Sequence, residues 1–141
     1  MRKIGFTCGA FDLFHAGHTT MLSDCRDRCD YLIIGLHTDP SSERKQKNKP
    51  IQSIYERYLQ LSGCKYVDQI VPYDTENDLR NLLATLNINI RFIGMDHVRG
   101  PITAEDVCKL RNIEICFNER YHDFSSSELR NRIGQEKSSI L

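Results

Sequence analysis

Five short apolar runs, at 3–8, 31–36, 66–71, 90–94 and 113–117, punctuate the chain, each rich in β-branched or aromatic residues and bounded by polar or turn residues. Runs of this length and flanking predict strands buried on both faces. The gaps between them carry helical periodicity. Met21, Leu22, Cys25 and Cys29 mark one face ahead of the second strand, and Ile54, Tyr55, Tyr58, Leu59 and Ser62 mark another ahead of the third. The cleanest stripe is Leu79, Leu82, Leu83 and Leu86, spaced i, i+3, i+4, i+7. Strand and helix in strict alternation imply right-handed crossovers and a parallel sheet covered on both sides. The pattern therefore predicts an α/β fold: one doubly wound domain with a five-stranded parallel sheet over 1–134. Residues 135–141 carry no pattern and are expected to form a flexible tail. Ligands of such sheets sit beyond the carboxyl ends of the strands, so the segment after the first strand is the first place to look for a site.

Length and composition narrow the class. A chain of 141 residues suits a single compact domain. Lysine plus arginine and aspartate plus glutamate balance at 19 each, so no overall field calls for a nucleic acid and any anion selectivity has to come from local clustering. No apolar run approaches the roughly 18 residues of a spanning helix, and Met1-Arg2-Lys3-Ile4-Gly5 continues directly into the first strand. The expectation is a cytoplasmic protein without membrane insertion. Cys8, Cys25, Cys29, Cys64, Cys108 and Cys116 form no CxxC pair and read as small buried hydrophobes. A zinc site on Cys25 and Cys29, one helical turn apart, lacks an evident second ligand pair. The segment 40–50 is polar, bracketed by prolines, and predicts a mobile loop.

Four segments carry candidate chemistry. Thr7-Cys8-Gly9-Ala10-Phe11-Asp12-Leu13-Phe14-His15-Ala16-Gly17-His18 puts two glycines and two histidines where a strand enters a helix, a junction at which backbone N–H groups face an anion. Two loop histidines or a fragment of a metal site are the bland readings. Arg120-Tyr121-His122-Asp123-Phe124-Ser125-Ser126-Ser127-Glu128-Leu129-Arg130 lies between the last strand and the last helix, with Ser125 and Glu128 in the S-x-x-E spacing of a capping box. A cap alone explains those two but leaves Arg120, Ser126 and Ser127 without a role. Lys45-Gln46-Lys47 lies in the polar loop with Arg57 downstream, a run that composition alone reads as solvated surface. Gly94-Met95-Asp96-His97 follows the fourth strand, where Asp96 is either a ligand contact or a turn former.

The spacing His15-x-Gly17-His18 is similar to the phosphate-binding signature of the nucleotidylyltransferases, and Thr7 to His18 resembles the glycerol-3-phosphate cytidylyltransferase branch, with Ala10 where that branch has threonine in GTFD. The stretch from Arg120 to Ser127 resembles its RTEGISTT motif, Lys45-Gln46-Lys47 its KQK loop, and Gly94 to His97 its GxDW segment. The resemblance spans Lys3 to Ile133 and implies a Rossmann-like domain of the nucleotidylyltransferase (HUP) type. It implies a nucleotidyl transfer from CTP to a small phosphate ester, sn-glycerol 3-phosphate foremost, giving a CDP-ester and pyrophosphate. His15, His18, Lys45 and Arg120 would act in catalysis, and Thr7, Gly9, Ala10, Phe11, Gly17, Gly94, Asp96, Ser125, Ser126 and Ser127 would join the histidines around the nucleotide. Lys45, Lys47 and Arg57 would contact the acceptor, Asp12 would help hold Mg²⁺, and relatives of this type are homodimers. Because the last motif departs from the family pattern, two alternatives stand. One is an adenylyltransferase of the same fold acting on FMN, a sugar phosphate or a heptose phosphate. The other is a non-catalytic nucleotide sensor.

Overall fold

In the computed structural model, which describes residues 2–94, 100–119 and 124–140 (side chains through 136), the chain alternates strand and helix from end to end. The strands are β1 (Ile4–Gly9), β2 (Tyr31–His37), β3 (Gln69–Tyr73), β4 (Ile90–Gly94) and β5 (Glu114–Asn118); the helices are α1 (Ala16–Asp27), α2 (Ile54–Ser62), α3 (Glu76–Thr85), α4 (Glu105–Leu110) and α5 (Ser126–Ile140). All strand pairs are parallel and the order is β3-β2-β1-β4-β5, so the chain winds outward one way from β1, returns, and winds out the other way. That reversal beside β1 is the switch point at which doubly wound sheets bind ligands.

Alternation along β2 divides the core. Leu32, Ile34 and Leu36 pack with Leu22 and Cys25 of α1 and Leu61 of α2 on one side, while Ile33 packs with Phe6, Leu79, Leu83, Cys108 and Ile113 against α3 and α4 on the other. Gly35 lies between them on β2, where a Cβ would come 2.8 Å from the Phe6 ring. Its absence seats Phe6 and Tyr73 on the α3 side.

Two expectations need correction. The third strand begins at Gln69 rather than 66, because 64–67 closes a turn (Val67 N–H to Cys64 C=O, 3.2 Å) and Asp68 caps the Leu32 N–H at 2.8 Å. On α2 the buried positions are Arg57 and Leu61, whereas Tyr55, Tyr58 and Leu59 are exposed, Tyr55 at 67 %. A long charged side chain takes the inward place and pushes the apolar stripe out. The C-terminal residues continue α5 through Ile140. Of the six free cysteines, Cys25, Cys29 and Cys108 are buried and Cys8, Cys64 and Cys116 half-buried. Among the described residues no group of histidine, cysteine and acidic side chains is arranged to hold a metal, and no helix is long and apolar enough to cross a membrane.

Candidate active site

A cleft of about 810 Å³ opens along the carboxyl edge of the sheet, lined by Thr7 to Asp12 from β1 and its loop, His15, Gly17 and His18 from α1, and Ser125, Ser126 and Arg130 from α5. The loop entering α1 is wound tightly: Phe11 and Leu13 adopt left-handed backbone at φ 51° and 50°. Such conformations cost energy in non-glycine residues and persist where surrounding contacts impose them. Here Gln52 accepts the Leu13 N–H at 2.7 Å, and Phe11 is buried against the core.

His15 is the N-cap of α1. Its Nδ1 accepts the Gly17 N–H at 3.0 Å, and His18 Nδ1 accepts the His15 N–H at 3.1 Å, a reciprocal box in which both cap atoms are imidazole nitrogens. A nitrogen that accepts an N–H carries no proton, so in each neutral ring the proton resides on Nε2. The rings lie 3.9 Å apart between centroids, and His18 stacks on Phe14 at 5.3 Å with Phe11 tilted against it at 5.4 Å. Burial first, and the neighbouring His15 after it, pull the His18 pKa down to about 3 against the opposing charge of Asp12. His18 is therefore a neutral Nε2–H donor at physiological pH, set at the positive end of a helix dipole.

The serines divide. Ser125 Oγ accepts the Glu128 N–H at 3.0 Å, the expected cap, although the Glu128 carboxylate turns to Arg132 at 2.8 Å instead of closing the box. Ser126 Oγ donates to Asp12 C=O at 3.1 Å and lines the cleft. Ser127 is exposed and stays outside it, because successive helical residues point some 100° apart. Arg130, one turn beyond Ser126 on the same face, does reach the cleft. In sequence Arg130 closes the segment that begins at Arg120, but no site role is read for it there.

Two charged candidates take structural duties. Asp12 Oδ2 accepts the Ile51 N–H and Oδ1 the Gln52 N–H, both at 2.9 Å, and Arg130 Nη2 approaches Oδ2 at 3.3 Å. A carboxylate so committed to backbone donors and an arginine does not fit a magnesium ligand. Arg57, 2 % exposed, donates Nε to Gln52 C=O (3.1 Å), Nη1 to Ala10 C=O (3.0 Å) and His37 C=O (2.7 Å), and Nη2 to Thr38 C=O (2.6 Å). Its guanidinium is consumed by main-chain carbonyls at the ends of β1 and β2, so it positions the cleft's rim rather than gripping an acceptor phosphate.

In the polar loop, Lys47, Gln46 and Arg44 line the cleft, whereas Lys45 is exposed and does not. The loop is anchored, not free: Arg44 pairs with Glu76, and Glu43 accepts the Glu76 N–H at 2.8 Å. Thr7 donates to Phe92 C=O at 3.2 Å, tying β1 to β4, and Gly94 lies on the wall beside it. Asp96 and Arg120 fall outside the described residues. The far wall, which sequence reasoning missed, holds His37, Tyr73, Glu76 and Arg91.

A family model described as cytidylyltransferase-like matches residues 6–132. The ethanolamine-phosphate cytidylyltransferase of Dictyostelium discoideum is 40 % identical over 110 residues, covering 77 % of this chain and 31 % of that protein. The bifunctional protein HldE of Hyphomonas neptunium is 37 % identical over 114 residues, covering 80 % of this chain and 23 % of that protein. The chain thus spans between about a quarter and a third of the length of these curated relatives. Among solved structures, the lipopolysaccharide core biosynthesis protein from Thermoplasma volcanium superposes with a TM-score of 0.72 at 22 % identity, covering 86 % of this chain and all of that one, a likeness of fold.

Proposed function

We propose, for a chain that belongs to the cytidylyltransferase-like family, that it joins CTP to a small phosphate ester, sn-glycerol 3-phosphate foremost. A phosphate oxygen of the ester attacks the α-phosphorus, the bond from that phosphorus to the bridging oxygen breaks, and pyrophosphate leaves with the electron pair. No enzyme nucleophile is needed, and what the protein contributes is positioning and stabilisation of charge on oxygen.

The observation that carries this reading is the tautomeric lock on the two histidines. Backbone N–H groups occupy both Nδ1 atoms, which leaves the proton of each neutral ring on Nε2 in two residues that line the cleft at the N-terminus of α1. Hydrogen bonds from Nε2 to phosphate oxygens strengthen as negative charge moves toward the leaving group. Ser125, whose hydroxyl oxygen accepts the capping N–H and keeps its proton, and Arg130 supply a second donor set at the start of α5, and Lys47 meets the two anions from the loop. Among the described residues none is assigned to Mg²⁺; a cation that accompanies the triphosphate would be held by phosphate oxygens. Homodimer assembly belongs to the same reading, with exposed Ile51, Tyr55, Tyr58 and Leu59 offering an apolar face to a second copy. Light scattering tests it: a monomer at micromolar concentration removes that part.

Incubation with each of the four nucleoside triphosphates and a panel of phosphate esters, with pyrophosphate quantified, tests the reaction. CTP-dependent release is expected. Turnover with ATP and none with CTP would establish the adenylyl alternative, and nucleotide binding without any pyrophosphate would leave a sensor.

A further inference from the structure

The wall of the cleft opposite the histidines holds a built polar pair that the transfer of the nucleotidyl group does not use. Arg91 sits in the middle of the sheet on β4 and is 5 % exposed. Its Nη1 donates to Thr103 C=O at 2.5 Å and approaches Cys108 Sγ at 3.9 Å. Among the described residues no carboxylate pairs with it, so its charge is left to the cleft that it lines. Glu76, the first residue of α3, faces the same space. The polar loop fixes it twice, through Arg44 on its carboxylate Oε1 and Glu43 on its N–H. The second carboxylate oxygen, Oε2, is buried beside the Thr103 hydroxyl and makes no well-formed hydrogen bond. Tyr73, Cys8 and His37 complete the wall; His37 donates Nε2 to Asp74 C=O at 3.1 Å and stacks on Tyr73 at 4.6 Å.

We propose that Glu76 and Arg91 are the specificity-determining pair that reads the non-phosphate end of the acceptor, selecting a phosphate ester that carries hydroxyls over one that carries an amine. This rests on the transfer reaction proposed above. Glu76 Oε2 offers an acceptor, and the Arg91 guanidinium offers donors, a combination that adjacent hydroxyls satisfy by donating to one and accepting from the other. Charge decides against an ammonium group. Within this wall Arg44 and Arg91 bring two positive charges and Glu76 one negative, so an ammonium group placed against it meets a local excess of positive charge, whereas a neutral polyol loses nothing by it. The carboxylate is also spoken for by Arg44, which leaves a hydrogen-bond acceptor rather than an unpaired counter-ion. Because Arg44 belongs to the loop that carries Lys47, the same loop that meets the acceptor phosphate also orients the group that reads the acceptor's other end.

Equilibrium binding of glycerol 3-phosphate, a longer polyol phosphate, phosphoethanolamine and ethyl phosphate, measured by calorimetry on the full chain, tests the pair without requiring turnover. Glycerol 3-phosphate is expected to bind about tenfold or more tighter than ethyl phosphate and phosphoethanolamine, the worth of a hydrogen bond to a charged group. In Glu76→Gln, where the side-chain oxygen still accepts from Arg44 but Oε2 becomes an amide N–H₂, the advantage over ethyl phosphate should shrink to within about threefold, with CTP affinity and thermal midpoint held; Glu76→Asp should restore part of it. Tighter binding of phosphoethanolamine, equal or absent binding of all four, an unchanged ranking in Glu76→Gln, or an effect confined to CTP would each overturn the assignment. Discrimination without pyrophosphate release would sink the transfer reaction alone, and transfer without discrimination would sink this pair alone.

Discussion

Three helices of this protein begin with the same device and use it differently. At α2, Ser53 Oγ accepts the Glu56 N–H while Glu56 Oε1 accepts the Ser53 N–H; at α3, Thr75 and Asp78 do the same, and Asp78 Oδ2 also takes the Asp74 N–H. At α1 the pair is His15 and His18. A hydroxyl and a carboxylate engaged in a cap present little more than acceptor oxygen to their surroundings. An imidazole caps with Nδ1 and still carries a proton on the opposite atom, aimed away from the helix. Replacing oxygen by imidazole therefore turns a closed structural box into a donor pair without giving up the cap.

The sharpest way to break that comparison is His18→Asn. The asparagine oxygen stands near the position of Nδ1 and can keep the bond from the His15 N–H, but nothing replaces Nε2. Turnover should fall about a hundredfold or more, the usual loss on removing a transition-state donor. Urea denaturation should show stability within about 0.5 kcal/mol of the parent, against about 1 kcal/mol lost in His18→Ala, where the cap goes too. Equal stability losses in both, with turnover retained in His18→Asn, would make the histidines a cap and nothing else.

Next in size is Arg57→Met, which asks whether a cation beside the cleft serves ligand or fold. With the carbonyls of Ala10, His37 and Thr38 stripped of their donor, the chain should lose about 3 kcal/mol of stability. The acceptor KM of whatever protein remains folded, measured at low temperature, should stay within about twofold. A raised acceptor KM at unchanged stability would return Arg57 to the phosphate. Smaller again is Ser53→Ala, which opens an ordinary box: about 1 kcal/mol by thermal or urea unfolding, with turnover kept. The contrast with His18→Asn, where activity goes and stability stays, is what separates the two kinds of cap.

Legibility in the sequence followed the range of the interactions involved. β4 stands where its apolar run puts it and β1, β2 and β5 lie within a residue, because each is signalled by its own composition. β3 slipped because the turn at 64–67 looks apolar, and the α2 face inverted because periodicity counts apolar residues and cannot see Arg57 reaching inward for carbonyls contributed by β1 and β2. His15 and His18 were readable since their partners lie within three residues. Arg130, Glu76 and Arg91 were not, because what places them in the cleft is a pairing with Asp12, with the loop at 43–44 and with Thr103, each distant in sequence. The same holds for Asp12, whose two backbone partners lie 39 and 40 residues away.

The remaining expected effect is on pH dependence, and it too divides the imidazole cap from the carboxylate caps. Burial holds the His18 pKa at about 3, below its ordinary 6.5, so between those values the unfolded chain binds a proton that the folded chain refuses. The contribution is fully present above 6.5 and is lost as pH falls toward 3. Glu56 and Asp78 are shifted the same way for a different reason, since hydrogen bonds from Ser53 and from Thr75 and Asp74 favour their ionised forms. Their contributions hold above the ordinary 4.5 and 3.8 and fade only below. Acidification from pH 7 to 5 should therefore weaken the parent chain more than His18→Asn in urea midpoints taken at each pH, and the two curves should run parallel only below about 3, where His18 is protonated in the folded and unfolded chain alike. Parallel curves from pH 7 downward would mean that His18 takes up its proton in the folded state, which its Nδ1 cannot do while it accepts the His15 N–H.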